Sequence, residues 1–410
     1  MFDSLARTSR QRNPMQAEIL DWLSRHDGAM RQLLQQLVDT DSGSRHVAGI
    51  DRVAGLIRQS LEASGIEVQT IPCPGYGSCL RAELAPGGPA PVLLMGHMDT
   101  VFPAGTAAAR PYRVEGNLAY GPGVADMKSG LVMNTFIAKA FAEVIGVGRV
   151  PLRLFYSCDE EIASPASREW ILAASEGAAA VFNAEPGRPN GNVVTGRKGA
   201  FFIDFEVSGV AAHAGGNHAA GASAIGALAA KTLALHALTD YDSGITTNVG
   251  TVRGGSTVNT VADSAFAQVD VRFTADTDAD ALYRTIDSIV KEESVRYTCG
   301  HISHVGRFLA MADSGASQKM LDIYRSSARQ LGFDVKGEFS GGCADSGLTA
   351  SRGVPTLCGT GPVGAHPHTV KEYCDISTLV PRAQAVALSV LALHPALASA
   401  TRDGGLAVQP

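Results

Sequence analysis

His97 closes the run Pro91-Val92-Leu93-Leu94-Met95-Gly96, and Asp99 follows two residues on. A short apolar run bounded by Pro and Gly reads as a buried strand, and side chains alternate along an extended backbone, so His97 and Asp99 point to the same side. A carboxylate placed there can hold the imidazole by its second nitrogen and leave the first for a metal. In isolation a His-x-Asp pair is more often a hydrogen-bonded turn. The rest of the chain shifts that balance. Asp126 ends the Gly-rich run Gly121-Pro122-Gly123-Val124-Ala125, Glu160 and Glu161 follow the apolar run 152 to 157, and Glu185 precedes Pro186. Two late histidines, His366 and His368, share a short Pro-containing loop.

Two imidazoles and three carboxylates suit a pair of borderline divalent ions such as zinc, with one carboxylate shared between them. Asp126, in a turn whose glycines let the backbone come close, is the natural bridge. Glu160 and Glu161 are neighbours just past a strand end, so one can bind metal while the other faces a water. Two ions about 3.5 to 4 Å apart acidify such a water and polarise a carbonyl, and a free carboxylate beside them moves the proton. Taken singly, Asp126 could cap the helix after it, Glu160 and Glu161 could be a solvated pair at a helix start, and Glu185 could sit in a surface turn. Their recurrence at successive strand ends and loops favours a site.

The elements that must position these groups follow from periodicity. Apolar positions at helical spacing predict helices over about 16 to 39 and 50 to 64, then strands at 68 to 71, 81 to 84 and 92 to 95. A long loop from 102 to 126 leads into an apolar helix, 131 to 144, a strand at 152 to 157, a further helix and a strand at 179 to 183. Strand and helix alternate, so the sheet is expected to be mixed but largely parallel, with helices on both faces and the chemistry at its carboxyl edge. The style changes after Thr195. Strands at 201 to 207, 246 to 252 and 265 to 273 with helices at 219 to 237 and 279 to 295 form two-strand, one-helix units, an inserted α+β, ferredoxin-like module. The α/β style resumes with a helix at 319 to 331, strands at 334 to 339 and 355 to 358, and a helix at 376 to 393. The expected division is 1–195 and 312–410 for the site-bearing domain and 196–311 for the insertion.

A chain of 410 residues exceeds one ordinary core, which agrees with two domains. The net charge of −6 argues against a sequence-independent grip on nucleic acid. Seven scattered cysteines with no Cys-x-x-Cys pair look like the reduced thiols of a cytosolic enzyme. The charged N-terminus lacks the apolar stretch of a secretory signal, and no uninterrupted apolar run reaches a membrane span, so a cytoplasmic protein with no membrane partner is expected. The stretch from 398 to 410 reads as a loose tail.

The blocks Gly96-His97-Met98-Asp99-Thr100-Val101, Gly121-Pro122-Gly123-Val124-Ala125-Asp126-Met127-Lys128-Ser129-Gly130, Asp159-Glu160-Glu161 and Ala184-Glu185-Pro186 resemble the signatures of the M20 family of di-zinc metallopeptidases and deacylases. The runs 99 to 102 and 111 to 123 are most similar to its bacterial glutamate carboxypeptidases. The resemblance implies two Zn2+ per subunit, with His97 and Glu185 on one, Glu161 and a late histidine on the other, and Asp126 between them. His368 fits the family's spacing of His, three residues, Glu through Glu372; His366 does not. Glu160 would be the general base and Asp99 would orient His97. The inserted module would be a lid and dimerisation domain, giving a homodimer in which His213, in Ala212-His213-Ala214-Gly215, reaches toward the partner subunit's oxyanion. Asn259 and Arg272 would hold the substrate's free carboxylate, with Lys198 as a second positive group and Gly342 in the adjoining loop. The chain departs from the glutamate carboxypeptidases around Arg197-Lys198-Gly199 and at 341 to 346. The function implied is cleavage of an N-acyl amino acid or peptide to release its C-terminal residue. The rivals are an N-acyl deacylase of the acetylornithine or succinyl-diaminopimelate kind and an inactive binding protein on the same scaffold.

Overall fold

The computed structural model describes residues 13–276 and 279–398. The N-terminal segment read above as lacking a signal, and the tail from 399, lie outside the described residues. Helix α1 (Pro14–Arg25) starts with Pro at its first position, where the missing N–H costs nothing, and the Asn13 side chain accepts from the Met15 N–H. The helix expected over 16 to 39 is in fact two. It stops at His26, whose ring stacks on Trp22 with centroids 3.6 Å apart, and α2 (Asp27–Val38) begins afresh. Helix α3 (Val47–Glu62) completes the layer.

Strands β1 (Val68–Cys73), β2 (Gly77–Glu83) and β3 (Val92–His97) follow. The segment 102 to 126 is not one loop: it holds helix α4 (Thr106–Ala109) and the short strands β4 (Arg113–Glu115) and β5 (Leu118–Tyr120). Three-residue strands are too short to show a period, which is why the sequence hides them. Helix α5 (Ser129–Val144) is buried nearly all round, and a side chain on its Gly130 would collide with the Ala184 carbonyl. Strand β6 (Leu152–Ser157), helix α6 (Arg168–Ser175), strand β7 (Ala180–Asn183) and strand β8 (Val193–Arg197) complete the first half.

The next stretch builds a separate sheet. Strand β9 (Gly199–Ser208), helix α7 (Ala224–His236), strands β10 (Thr246–Gly254) and β11 (Ser264–Phe273), helix α8 (Ala279–Lys291) and strand β12 (Cys299–Phe308) form an antiparallel sheet in the order β10-β11-β9-β12, with its own apolar core around Phe201, Phe205, Leu228 and Phe273. Strand β12 was not anticipated. Its two glycines and the register shift between Ile302 and His304 break the alternation that marks a strand.

The chain returns through α9 (Gly315–Gln330), β13 (Gly337–Ser340), α10 (Ser346–Ser351), β14 (Thr356–Leu357), β15 (Gly364–Ala365), β16 (Tyr373–Asp375) and α11 (Leu379–Leu393). The central sheet runs β1-β2-β6-β3-β7-β14, with β6, β3, β7 and β14 parallel and β1 and β2 antiparallel at one edge. Strands β3 and β6 are buried along their whole length, as expected of parallel strands covered on both faces. The segment 376–393 is apolar and long enough to cross a membrane by composition, but it is packed against α5 and α9 in the main core. The carboxyl ends of β6, β3 and β7 lie side by side, delivering residues 158–161, 97–99 and 184–185 to one edge.

Candidate metal centre

His97 is the last residue of β3 and almost fully buried. Its Nδ1 lies 3.0 Å from the Asp99 backbone carbonyl and 3.4 Å from Asp99 Oδ1, so the nearer holder of the ring is main chain rather than the expected carboxylate. The Asp99 carboxylate instead accepts from the backbone N–H groups of Glu160 at 3.0 Å and Glu161 at 3.1 Å, and from Ser44 Oγ at 2.6 Å. One fully buried aspartate thereby ties the end of β3 to the turn after β6.

Asp126 does not cap α5, which begins three residues later. Its side chain points between two imidazoles: Oδ1 is 3.2 Å from His97 Nε2 and Oδ2 is 3.3 Å from His368 Nε2. Glu185 Oε1 stands 3.6 Å from His97 Nε2 on the first side, and Glu161 Oε2 stands 3.2 Å from His368 Nε2 on the second. Glu160 Oε2 comes within 3.8 Å of His97 Nε2. The structure thus gathers His97, Asp126, Glu160, Glu161, Glu185 and His368 into one cluster and selects His368; the His366 ring packs against Tyr373 instead.

The charges in this cluster do not balance on their own. Burial drives the Glu160 carboxyl well above its usual range, helped by Glu185, Asp345 and Glu161, and burial also raises Glu185. Burial brings Glu161 to about 7 against the pull of His368. For Asp126, burial is outweighed by hydrogen bonds from His368 and His97, which hold it below the carboxylate range. Those same bonds, from Asp126 and Glu161, lift His368 to about 10. Glu161 Oε1 is buried with no hydrogen-bond partner among the described residues. Four crowded carboxylates, two imidazole nitrogens aimed inward and an orphaned buried oxygen are the donor set that divalent cations take. His97, Asp126 and Glu161 place one donor atom each within 4.8 Å of one another.

Some groups around the cluster escaped the sequence reading. Arg197, at the end of β8, is buried with Nη2 3.7 Å from Glu185 Oε2, while Nη1 donates to the Gly342 and Cys343 carbonyls at 3.2 and 3.3 Å. The Lys198 ammonium donates to the Gly244 carbonyl in the inserted sheet, so the cation facing Glu185 is Arg197. Glu372 accepts from the N–H groups of Gly123, Ala125 and Asp126 at 2.9 to 3.0 Å and pins the loop that presents Asp126.

The remaining residues of interest lie on the inserted sheet or near it. Arg272 is clamped by both Asp270 oxygens at 2.7 Å, donates to Cys343 Sγ at 3.1 Å and stacks over Phe202, so its fork is already engaged. His213 is exposed. Its Nδ1 accepts from the Gly215 and Gly216 N–H groups, which puts the proton on Nε2. The Asn259 carbonyl accepts from the Ala214 N–H beside it, so His213 and Asn259 share one loop cluster apart from the six gathered groups.

Residues 93–392 match the peptidase family M20/M25/M40, and the chain belongs to that family. It is a hydrolase that acts on amide bonds. Carboxypeptidase G2 from Pseudomonas sp. (strain RS-16) is 27% identical over 359 residues, covering 86% of each chain. A putative succinyl-diaminopimelate desuccinylase from Mycobacterium tuberculosis is 30% identical over 262 residues, covering 60% of this chain and 68% of that one. An M20 family metallo-carboxypeptidase from Sulfolobus solfataricus shares the fold at a TM-score of 0.72 and 17% identity, with 90% of this chain and 99% of that one aligned.

Proposed function

We propose that the chain is a di-zinc carboxypeptidase-type amidohydrolase that removes the C-terminal amino acid from an N-acyl amino acid or short peptide. The observation that carries this reading is the division of labour at Asp126, whose two oxygens each face one imidazole with one glutamate beside it. His97 and Glu185 would hold one zinc, His368 and Glu161 the other, and Asp126 would join them. When bound, such a pair supplies Lewis acidity toward the substrate carbonyl and an acidified water.

The chain's own groups do the rest. Glu160 accepts the proton of the attacking water and hands it to the leaving nitrogen. Asp99 holds the turn that keeps Glu160 and Glu161 diverging. Arg197 faces Glu185 at 3.7 Å and partly offsets the rise that burial imposes on its carboxyl. His213 from a second subunit would donate to the oxyanion, and Asn259 beside it would meet the substrate carboxylate. The 27% identity to carboxypeptidase G2 over most of both chains supports recognition of a C-terminal residue.

The test uses zinc-loaded protein and a panel of N-acyl-glutamate, N-acyl-ornithine and dipeptide substrates. Glu160→Gln is expected to lose on the order of 10² to 10⁴ in kcat with zinc content unchanged at two per chain. Unchanged turnover would remove Glu160 from the chemistry, and a stoichiometry of one or none would end the two-metal reading. Preference for N-acyl-ornithine over N-acyl-glutamate would move the chain to the deacylases.

A further inference from the structure

Behind the catalytic edge lies a second cluster of ligand atoms that the amidase reading does not use. Cys73, the last residue of β1, Cys79 in β2 and Cys158, the residue after β6, point to the same face of the central sheet. Cys79 Sγ lies 3.6 Å from both Cys73 Sγ and Cys158 Sγ, and all three sulfurs are within 4.8 Å of one another. All three residues are buried: Cys73 retains 3% of its exposure and the others none.

Buried cysteines usually act as small hydrophobes, each packed singly among aliphatic neighbours. Three converging sulfurs are a different object. Three thiolates bound at about 2.3 Å to a single ion in a trigonal plane stand about 4 Å apart; the two separations from Cys79 fall within a few tenths of an ångström of that, and the third lies within 4.8 Å. The shell is apolar, made by Ile50, Ile71, Leu93, Met95, Phe155 and Ile171. Asp159, the nearest carboxylate in sequence, is turned away to Ser167 and to the Ala166 N–H. The Ile71 carbonyl lies 3.8 Å from Cys73 Sγ, and no carboxylate or imidazole among the described residues joins the three sulfurs, so the side-chain donor set is all sulfur and three-coordinate.

We propose that Cys73, Cys79 and Cys158 form a second metal site, distinct from the histidine and carboxylate cluster, that takes a soft d10 cation of low coordination number, copper(I) being the representative. Hard and borderline ions prefer the oxygen and nitrogen donors of the first site, and thiolates select soft ones, so the two sites sort their ions by chemistry. Each sulfur that binds releases its proton to solvent and forms one S–metal bond; the metal enters and stays as copper(I), so no electron is transferred. Strand β1 is the outermost strand, and the turn from Cys73 to Gly77 covers the cluster with Tyr76, on whose ring the Arg45 guanidinium sits 5.2 Å from the centroid.

The experiment titrates reduced, zinc-loaded full-length protein with copper(I) supplied as its bicinchoninate complex. It follows loss of the complex's colour, growth of the ultraviolet thiolate-to-copper band, and zinc released. The expected result is one equivalent withdrawn from the chelator with zinc retained. Affinity should fall more than about 100-fold in Cys79→Ala, since even the outer partners of metal ligands are worth 10- to 100-fold. Cys299→Ser, which alters an exposed thiol outside the cluster, should leave it unchanged. Cys73→Ala, at the sheet edge, provides the same comparison if Cys79→Ala fails to fold, with circular dichroism as the check. Uptake that persists in both cluster variants, no uptake from the chelator, or zinc displaced one for one would each overturn the proposal.

Discussion

Asp345 sits between the two ends of the turn that carries Glu160 and Glu161, accepting from Ser157 Oγ at 3.3 Å and from Ser164 Oγ at 2.5 Å. It is fully buried, and that burial lifts its carboxyl to about 7. A carboxyl raised in the fold binds its proton more tightly there than in the unfolded chain, where it titrates near about 4. Its contribution is therefore complete below about pH 4, declines as pH rises, and is gone above about 7. Asp345→Asn keeps an oxygen for the serines and removes the charge. Urea unfolding of the metal-free variant should show a smaller drop in stability between pH 5 and pH 8 than the unaltered chain shows. Equal drops would mean that Asp345 is ionised in the fold throughout. Asp126 in the metal cluster behaves differently: hydrogen bonds from two imidazoles outweigh its burial and hold it below the carboxylate range, whereas Glu185 is raised by burial despite Arg197.

The loop from Gly121 to Lys128 shows what an element must do to present one residue. It is tied at both ends: Lys128 Nζ donates to the Thr40 carbonyl at 2.9 Å, and Glu372 gathers three of the loop's N–H groups. Glu372 touches Asp126 only at its backbone N–H and so acts by position. Glu372→Ala is expected to weaken zinc binding about 10- to 100-fold, as loss of an outer partner does, with kcat near normal once the metal is saturated. Equal zinc affinity in variant and parent would show that the loop holds Asp126 unaided. Glu372 was legible in the sequence as the spacing partner of His368, but its hold on this loop, and that of Lys128, was not. The strand under His97 was, because an unbroken apolar run has one reading in an α/β protein, and the acidic and imidazole residues could be sorted by where such runs stop. Arg197 and Asp345 carry no local pattern that separates them from surface charges, and Glu372 showed only as the spacing partner of His368; the tertiary fold brings all three inward. The helix break at His26 and the strand from Cys299 to Phe308 were missed for the opposite reason, that a local irregularity masks a regular element.

At the scale of the whole molecule, the metal-centre groups gather at the edge of the central sheet while His213 belongs to the antiparallel one, and His213 tests how the two combine. It projects from the antiparallel sheet on an exposed loop, its tautomer set by Gly215 and Gly216, and it stands outside the six groups gathered at the metal centre. The proposed function has a histidine there serve the oxyanion of another subunit's site. Two defective chains distinguish the cases: His97→Ala destroys the metal centre and keeps the loop, and His213→Ala does the reverse. Each alone should be nearly inactive. If the loop acts across a twofold interface, a refolded equimolar mixture forms about half mixed dimers, each with one intact composite site, and recovers about a quarter of the parent activity. If the loop acts within its own chain, mixing restores nothing, because no site then receives both its metal centre and its histidine.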